Sequence, residues 1–186
     1  MGPDPLFKKG DLTVNLPGML PFLCLAALTG CGSGQAGESG AAASKPIIKA
    51  DALLVDKSDR TLILYRDGKE IHRYTAIRFG DQPVGHKQFE GDEKTPEGRY
   101  TINGRNPKSA YHLSLRISYP NAADTAFAKS KNRPAGGDIF IHGQPNGWIG
   151  PTLSSDWTDG CIALSNEEIR LLWKQVDDGT AITIQP

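Results

Sequence analysis

Apolar positions divide the chain into a long carboxy-terminal part with strand and helix periodicity and an amino-terminal part with neither. Strand patterning starts near Ile47. Ala52-Leu53-Leu54-Val55 is apolar and Thr61-Leu62-Ile63-Leu64-Tyr65 is rich in β-formers. Asp67-Gly68 is a two-residue hairpin signal that sends the chain back through Lys69 to Phe79 as the partner strand. Residues 80–98 carry glycines and charges without either period, and a loop this long inside a compact domain is usually functional or disordered. Thr95-Pro96-Glu97-Gly98 is arranged for a tight turn, and Arg99 to Ile102 follows as a strand. From Tyr111 to Ile117 apolar residues alternate with His112, Ser114 and Arg116, which predicts a half-buried strand with a polar face that could line a cleft or simply meet solvent. Ala122 to Lys129 reads as a short helix. Ile139-Phe140-Ile141 is a short apolar strand that delivers His142 and Gly143, and Thr158-Asp159-Gly160-Cys161 runs straight into Ile162-Ala163-Leu164. Ser165 with Glu168 forms a capping box. The helix it opens places Ile169, Leu172, Trp173 and Val176 at i, i+3, i+4 and i+7, with Gly179 as its stop and Thr180 to Ile184 as a last strand. The predicted class is mostly β with a few helices (α+β), with mixed β-sheets and a capped carboxy-terminal helix, over residues 47–186.

The first 46 residues lack such patterning. Lys8-Lys9 precede an apolar run of about ten residues, Met19 to Leu28, which is too short for a bilayer span of roughly 20 residues and suits a signal-peptide core. It ends in Leu28-Thr29-Gly30-Cys31, which resembles the lipobox of bacterial lipoproteins. That resemblance implies removal of residues 1–30 and lipidation of Cys31. Gly32, standing where an Asp would mark retention, implies sorting to the outer membrane of a Gram-negative cell. Residues 31–46 are small and polar, without the apolar surface needed to offset ordering entropy, and are expected to be a flexible tether.

Composition adds mainly exclusions. Lys plus Arg and Asp plus Glu are both 21 in 186 residues, so the chain lacks the basic footprint of a nucleic-acid binder. There is no CxxC and no HxxxH, so neither a metal nor a cofactor is expected. The cysteine count is more informative. Of three cysteines, Cys24 lies in the signal segment and Cys31 would carry lipid, which leaves Cys161 alone in an exported domain where thiols oxidise. A lone thiol there needs deep burial or a use.

His142 at a strand end and Cys161 after a glycine can form a base–nucleophile pair. The thiolate attacks, and an imidazole within reach can take the thiol proton and return it to a leaving amine. Gly160 leaves the nucleophile unshielded, and backbone N–H groups beside it can face a developing oxyanion. The same two residues also suit a plain core histidine and a structural cysteine. Gly143, Thr158, His86 and Lys87 are further candidates for substrate contact. His86 and Lys87 equally suit solvated loop charges, and the loop 80–98 and the segment from Gln144 to Trp157, with Trp148 and Trp157, are candidate covers.

The segments VGHKQFEGDEKTPEGRYTI, YHLSLRISYPN and IHG…DWTDGCIALSNEEI together resemble the L,D-transpeptidase catalytic-domain family (YkuD type) over roughly residues 50 to 185, in a branch with D-W-T-x-G-C-I-A-L. The resemblance implies a mostly β catalytic fold and a cysteine acyl-enzyme that reworks peptidoglycan. It makes Cys161 the nucleophile and His142 the proton donor and acceptor, with Gly160 and the Cys161 N–H at the oxyanion position and a backbone carbonyl orienting His142. Many members carry Arg where this chain has Ala163, which removes a cation for a substrate carboxylate. The implied partners are peptidoglycan stem peptides at meso-diaminopimelate, and a wall-linked lipoprotein as acceptor or substrate, in the periplasm with membrane contact through the lipid alone. Three functions compete: transpeptidation, hydrolysis of a diaminopimelate-linked bond by the same pair, and non-catalytic wall binding by a lipoprotein.

Overall fold

A computed structural model describes residues 46–186. The signal segment, Cys24, Cys31 and nearly all of the tether lie outside the described residues. Eight strands form one sheet: β1 (Ala52–Asp56), β2 (Thr61–Arg66), β3 (Lys69–Tyr74), β4 (Gly98–Asn106), β5 (Ser114–Ile117), β6 (Phe140–His142), β7 (Ile162–Ala163) and β8 (Ala181–Gln185). Their order is β3-β2-β1-β8-β4-β5-β6-β7. Pairing is antiparallel except for β1 with β8 and β6 with β7. Two helices complete the fold, α1 (Ala122–Ser130) and α2 (Asn166–Gln175). The mostly β class expected from the periodicity is the class observed.

The hairpin forms as the Asp67-Gly68 signal requires, with both residues at positive φ (50° and 73°), the conformation that matches strand twist in a two-residue turn. The expected partner strand stops at Tyr74 and does not run on to Phe79. Ala76 turns at φ 55°, and Ile77 to Gly80 leave the hairpin for the far edge of the sheet, where Arg78 pairs with Ala163 and Gly80 with Thr158. Burial drives that departure, because Ile77 and Phe79 enter the core there. The strand expected over Tyr111–Ile117 begins only at Ser114, since His112 sits at φ 68° in the preceding turn.

Both helices start where the sequence places them. Asn121 and Ser165 are N-caps in capping boxes with Asp124 and Glu168. Helix α2 ends at Gln175, earlier than a Gly179 stop implies. Val176 is already extended and buried, Arg105 donates to the carbonyls of Trp173 (2.6 Å) and Val176, and Gly179 turns the chain into β8. Ile169 and Leu172 of α2 bury against the sheet with Leu115, Ile117, Ile141 and Ile162, so the helix after Cys161 is bolted to the strands beneath it.

Residues 80–97 contain neither helix nor strand, and buried charges hold them. Lys57, almost fully buried, donates to Gly85 O and Glu97 at 2.7 Å each. Lys87 donates to Asp92 at 2.8 Å and to Phe89 O at 3.1 Å. Such pairs do little for net stability, but removing one partner strands a charge away from water.

Candidate active site

The register of β4 to β7 sets the floor of the site. Ile141 pairs with Ile162 and His142 with Ala163, so Cys161, one residue before Ile162, falls beside Phe140. The Phe140 N–H donates to Cys161 Sγ at 3.4 Å, which agrees with that register. Alternate strand residues share a face, so Cys161 and His142 project to the same side, one step apart along neighbouring strands. They line one cleft of about 570 Å³ together with Asn106, Ser114, Phe140 and Trp157.

Backbone geometry holds the cysteine at its turn. Gly160 has φ 117°, a region that L side chains rarely adopt, and a Cβ there would stand 2.4 Å from Lys94 O. Thr158, 5% exposed, braces the turn from inside. Its hydroxyl donates to Cys161 O at 2.8 Å and accepts from Gly160 N at 3.2 Å. The Gly160 N–H, expected as an oxyanion donor, is therefore engaged by Thr158. The Cys161 N–H has no hydrogen-bond partner among the described residues. The thiol itself points to Asp138 O at 3.6 Å, not to His142. Burial pushes the Cys161 thiol up to about 11, the nearby Asp159 carboxylate adding to the rise and the Phe140 N–H opposing it.

His142 is 3% exposed. Its Nδ1 lies 2.7 Å from Gly143 O, and a carbonyl can only accept, so Nδ1 carries the hydrogen and Nε2 of the neutral ring is the acceptor. Burial lowers its pKa below the ordinary imidazole value, against the opposing pull of the Gly143 carbonyl. Tyr111 lies tilted against the ring at 4.6 Å between centroids, and Trp157 meets it edge-on at 5.5 Å. The resting pair is thus a neutral thiol and a neutral imidazole in a cleft walled by aromatic rings.

The other expected residues divide. Gly143 takes part through its carbonyl, which orients His142. Thr158 lines the cleft and braces the turn. His86 and Lys87 do not line the cleft. His86 accepts the Glu97 N–H at Nδ1 (2.9 Å) and places Nε2 3.2 Å from Asp124, while Lys87 is buried on Asp92. Both are spent on holding residues 80–97. The expected cover is half realised, because Trp157 walls the cleft whereas Trp148 and Ile149 stand exposed at the loop tip, outside the cleft lining. Periodicity gave no sign of Asp138 and Phe140, which act through backbone atoms that carry no mark of residue type.

A thiol and an oriented imidazole thus share one face of paired strands, behind a glycine turn and an unpartnered amide. The family follows from comparison: the model of the YkuD L,D-transpeptidase catalytic domain matches residues 50–184, and the chain belongs to that family. YafK of Escherichia coli (strain K12), assigned to the L,D-transpeptidases, is 31% identical over 136 residues, which is 70% of this chain and 48% of YafK. The crystal structure of the helical cell shape determining protein Pgp2 from Campylobacter jejuni is similar at 31% identity and a TM-score of 0.59, over 74% of this chain and 48% of that one. Bd1075 of Bdellovibrio bacteriovorus is similar at 26% identity and a TM-score of 0.53, again over 74% and 48%. The chain spans about half the length of these relatives.

Proposed function

We propose that the protein is a cysteine acyltransferase acting on peptidoglycan stem peptides, attacking the carbonyl at the L-centre of meso-diaminopimelate. The observation that carries this reading is the shared face of Cys161 and His142, with Nδ1–H committed to Gly143 O and Nε2 left as an acceptor. In the first half-reaction the thiol hydrogen leaves Asp138 O for Nε2, and Nε2 takes the proton as sulfur bonds to the carbonyl carbon. The Cys161 N–H faces the oxyanion. The imidazolium then protonates the leaving amine, and a thioester remains. In the second half-reaction an acceptor amine gives its proton to Nε2 and attacks the thioester. The amide forms and the thiol is restored.

The acyl group passes to an amine, with new wall cross-links or a wall-linked lipoprotein as product. The cell-shape role named for the Campylobacter relative fits such remodelling. Hydrolysis is the second reading, and one observation favours it: Trp148 and Ile149 stand exposed outside the cleft lining and add no cover over Cys161, which is only part-buried, so water can enter. Purified muropeptides separate the two. Cross-linked dimers or lipoprotein-linked peptides mean transfer, shortened stems or freed lipoprotein mean hydrolysis, and activity surviving in Cys161→Ala would remove the acyl-enzyme altogether. We also infer that Cys31 tethers the protein to the outer membrane on its periplasmic side, because a lipobox-like segment precedes a small polar linker. Membrane fractionation unchanged in Cys31→Ala, with no lipid mass on the wild type, would refute the anchor.

A further inference from the structure

The polar face of β5 has no part in the chemistry above. It places Ser114 in the Cys161 cleft and Arg116 in the groove that adjoins it. Arg116 pairs with Phe140 on one side and Gly104 on the other, and Ser114 pairs with His142 and Asn106. Two rows therefore cross the floor, Gly104–Arg116–Phe140–Cys161 and Asn106–Ser114–His142–Ala163, with side chains on one face. The arginine stem lies alongside Gly104: a Cβ there would be in ordinary contact with it, 3.5 Å from Arg116 Cβ and 3.9 Å from its Cδ.

The guanidinium is underused. Only Nη2 has a partner among the described residues, Asp138 Oδ1 at 3.4 Å, across a pair that is 45% and 81% exposed. A guanidinium offers five N–H donors in a planar fork that matches a carboxylate. It lines a groove of about 530 Å³ that shares Glu90, Gly137 and Asp138 with the Cys161 cleft. Ser114 adds a donor from the same face. It is 4% exposed and lines the cleft, and its hydroxyl, which makes no hydrogen bond among the described residues, opens onto the cleft and is free to meet a ligand there. The remaining charges on these walls, Glu90, Asp138 and Asp159, are anionic, so a bound carboxylate has Arg116 as its cation.

We propose that Arg116 and Ser114, on the cleft face of β5, form the subsite that holds a carboxylate of the stem peptide bound at Cys161. The proposal rests on the acyltransferase reading for its substrate and specifies how that substrate is held. Arg116 takes the carboxylate in place of its weak contact with Asp138, and Ser114 donates to the same peptide beside His142. At its reacting end, a stem that finishes in diaminopimelate and a further amino acid offers two such groups, the side-chain carboxylate of diaminopimelate and the terminal carboxylate.

Three synthetic stem tetrapeptides decide both the subsite and the source: one with both carboxylates free, one amidated on the diaminopimelate side chain, and one amidated at the terminus. Binding is measured by calorimetry to the Cys161→Ala protein with and without Arg116→Gln, and kcat and KM are measured with the nucleophile intact. Arg116→Gln is expected to raise Kd and KM for the free peptide about 10- to 100-fold, with kcat changed far less. Arg116→Lys should recover part of the loss, and Ser114→Ala should cost about 2- to 10-fold. Amidating the carboxylate that Arg116 holds should weaken wild-type binding to the level of the variant and erase the difference between them. Equal affinity of wild type and Arg116→Gln for the free peptide, an equal loss on all three peptides, or no binding of any peptide overturns the subsite. Arg116-dependent binding without product overturns the acyl-enzyme reading and leaves the subsite standing, and product without Arg116-dependence does the reverse.

Discussion

The two ends of the sheet are built to different standards. At one end β1, β2, β4 and β8 are five to nine residues long, pair in continuous register and bury Leu53, Val55, Leu62, Leu64, Ile182 and Ile184. At the other end β5, β6 and β7 have four, three and two residues. Their neighbouring backbone groups serve the site: the Phe140 N–H on sulfur, the Asp138 carbonyl on the thiol, and the Gly143 carbonyl on the histidine. Unpaired buried polar atoms do not separate the two ends, since Thr61 Oγ1 in β2 and the Trp157 indole N–H at the site both lack a partner among the described residues. Long strands accumulate burial. Short strands leave polar groups free to be aimed. The contrast teaches that stability and chemistry are separable here, and substitutions can pull them apart.

The largest expected effect is on chemistry alone. Cys161→Ala should lower turnover of muropeptides below detection, while its thermal midpoint stays within a few degrees of wild type, because a small neutral side chain replaces a neutral thiol. A collapse of stability in this variant would mean that the site end carries structural weight and would break the comparison.

His142→Ala should slow turnover by about 10²- to 10⁴-fold, the usual worth of acid–base assistance. A pH series sharpens the point. His142 is held neutral by burial and its pKa is lowered, so the unfolded chain binds the proton more readily than the native one. Below the ordinary imidazole value near 6.5 the unfolded state therefore gains protons first, and stability is lost as pH falls. Calorimetric melts should show that acid-side loss shrinking in His142→Ala, and an unchanged slope would contradict the assignment of burial as its cause.

The scaffold end should show the mirror image. Leu62→Ala, at a fully buried position in β2, is expected to cost about 2–5 kcal/mol of stability by denaturant titration, with kcat/KM unchanged at temperatures where the protein is folded. A change in kcat/KM there would show that the two ends are coupled.

The smallest effect belongs to a residue that serves both standards. Thr158→Val keeps the shape of the side chain and removes its hydrogen bonds to Cys161 O and Gly160 N. It should cost about 1–3 kcal/mol and lower the rate several-fold, read from melts and kinetics on one sample. A loss of stability with the rate intact would make Thr158 structural only.

Periodicity, caps and turns are local properties, and the sequence determined them: the Asp67-Gly68 hairpin, the Ser165–Glu168 capping box, the apolar face of α2, and the mostly β class. Motif spacing likewise singled out His142 and Cys161 as candidates, because residue type alone limits which side chains can exchange a proton or attack a carbonyl. Pairings between strands far apart in the chain, from His142 with Ala163 to Arg78 with Ala163, are a different matter. Burial carries Ile77 to Gly80 across to β7, and pairing then sets His142, Cys161, Ser114 and Arg116 on one face; neither is encoded in any short window. The roles of His86 and Lys87 turned on which buried carboxylate stood opposite each, and that is settled only when the loop packs. The Gly143 carbonyl, the Phe140 amide and the Asp138 carbonyl act through backbone atoms that every residue possesses, so their contribution became visible only once the chain had folded around the thiol.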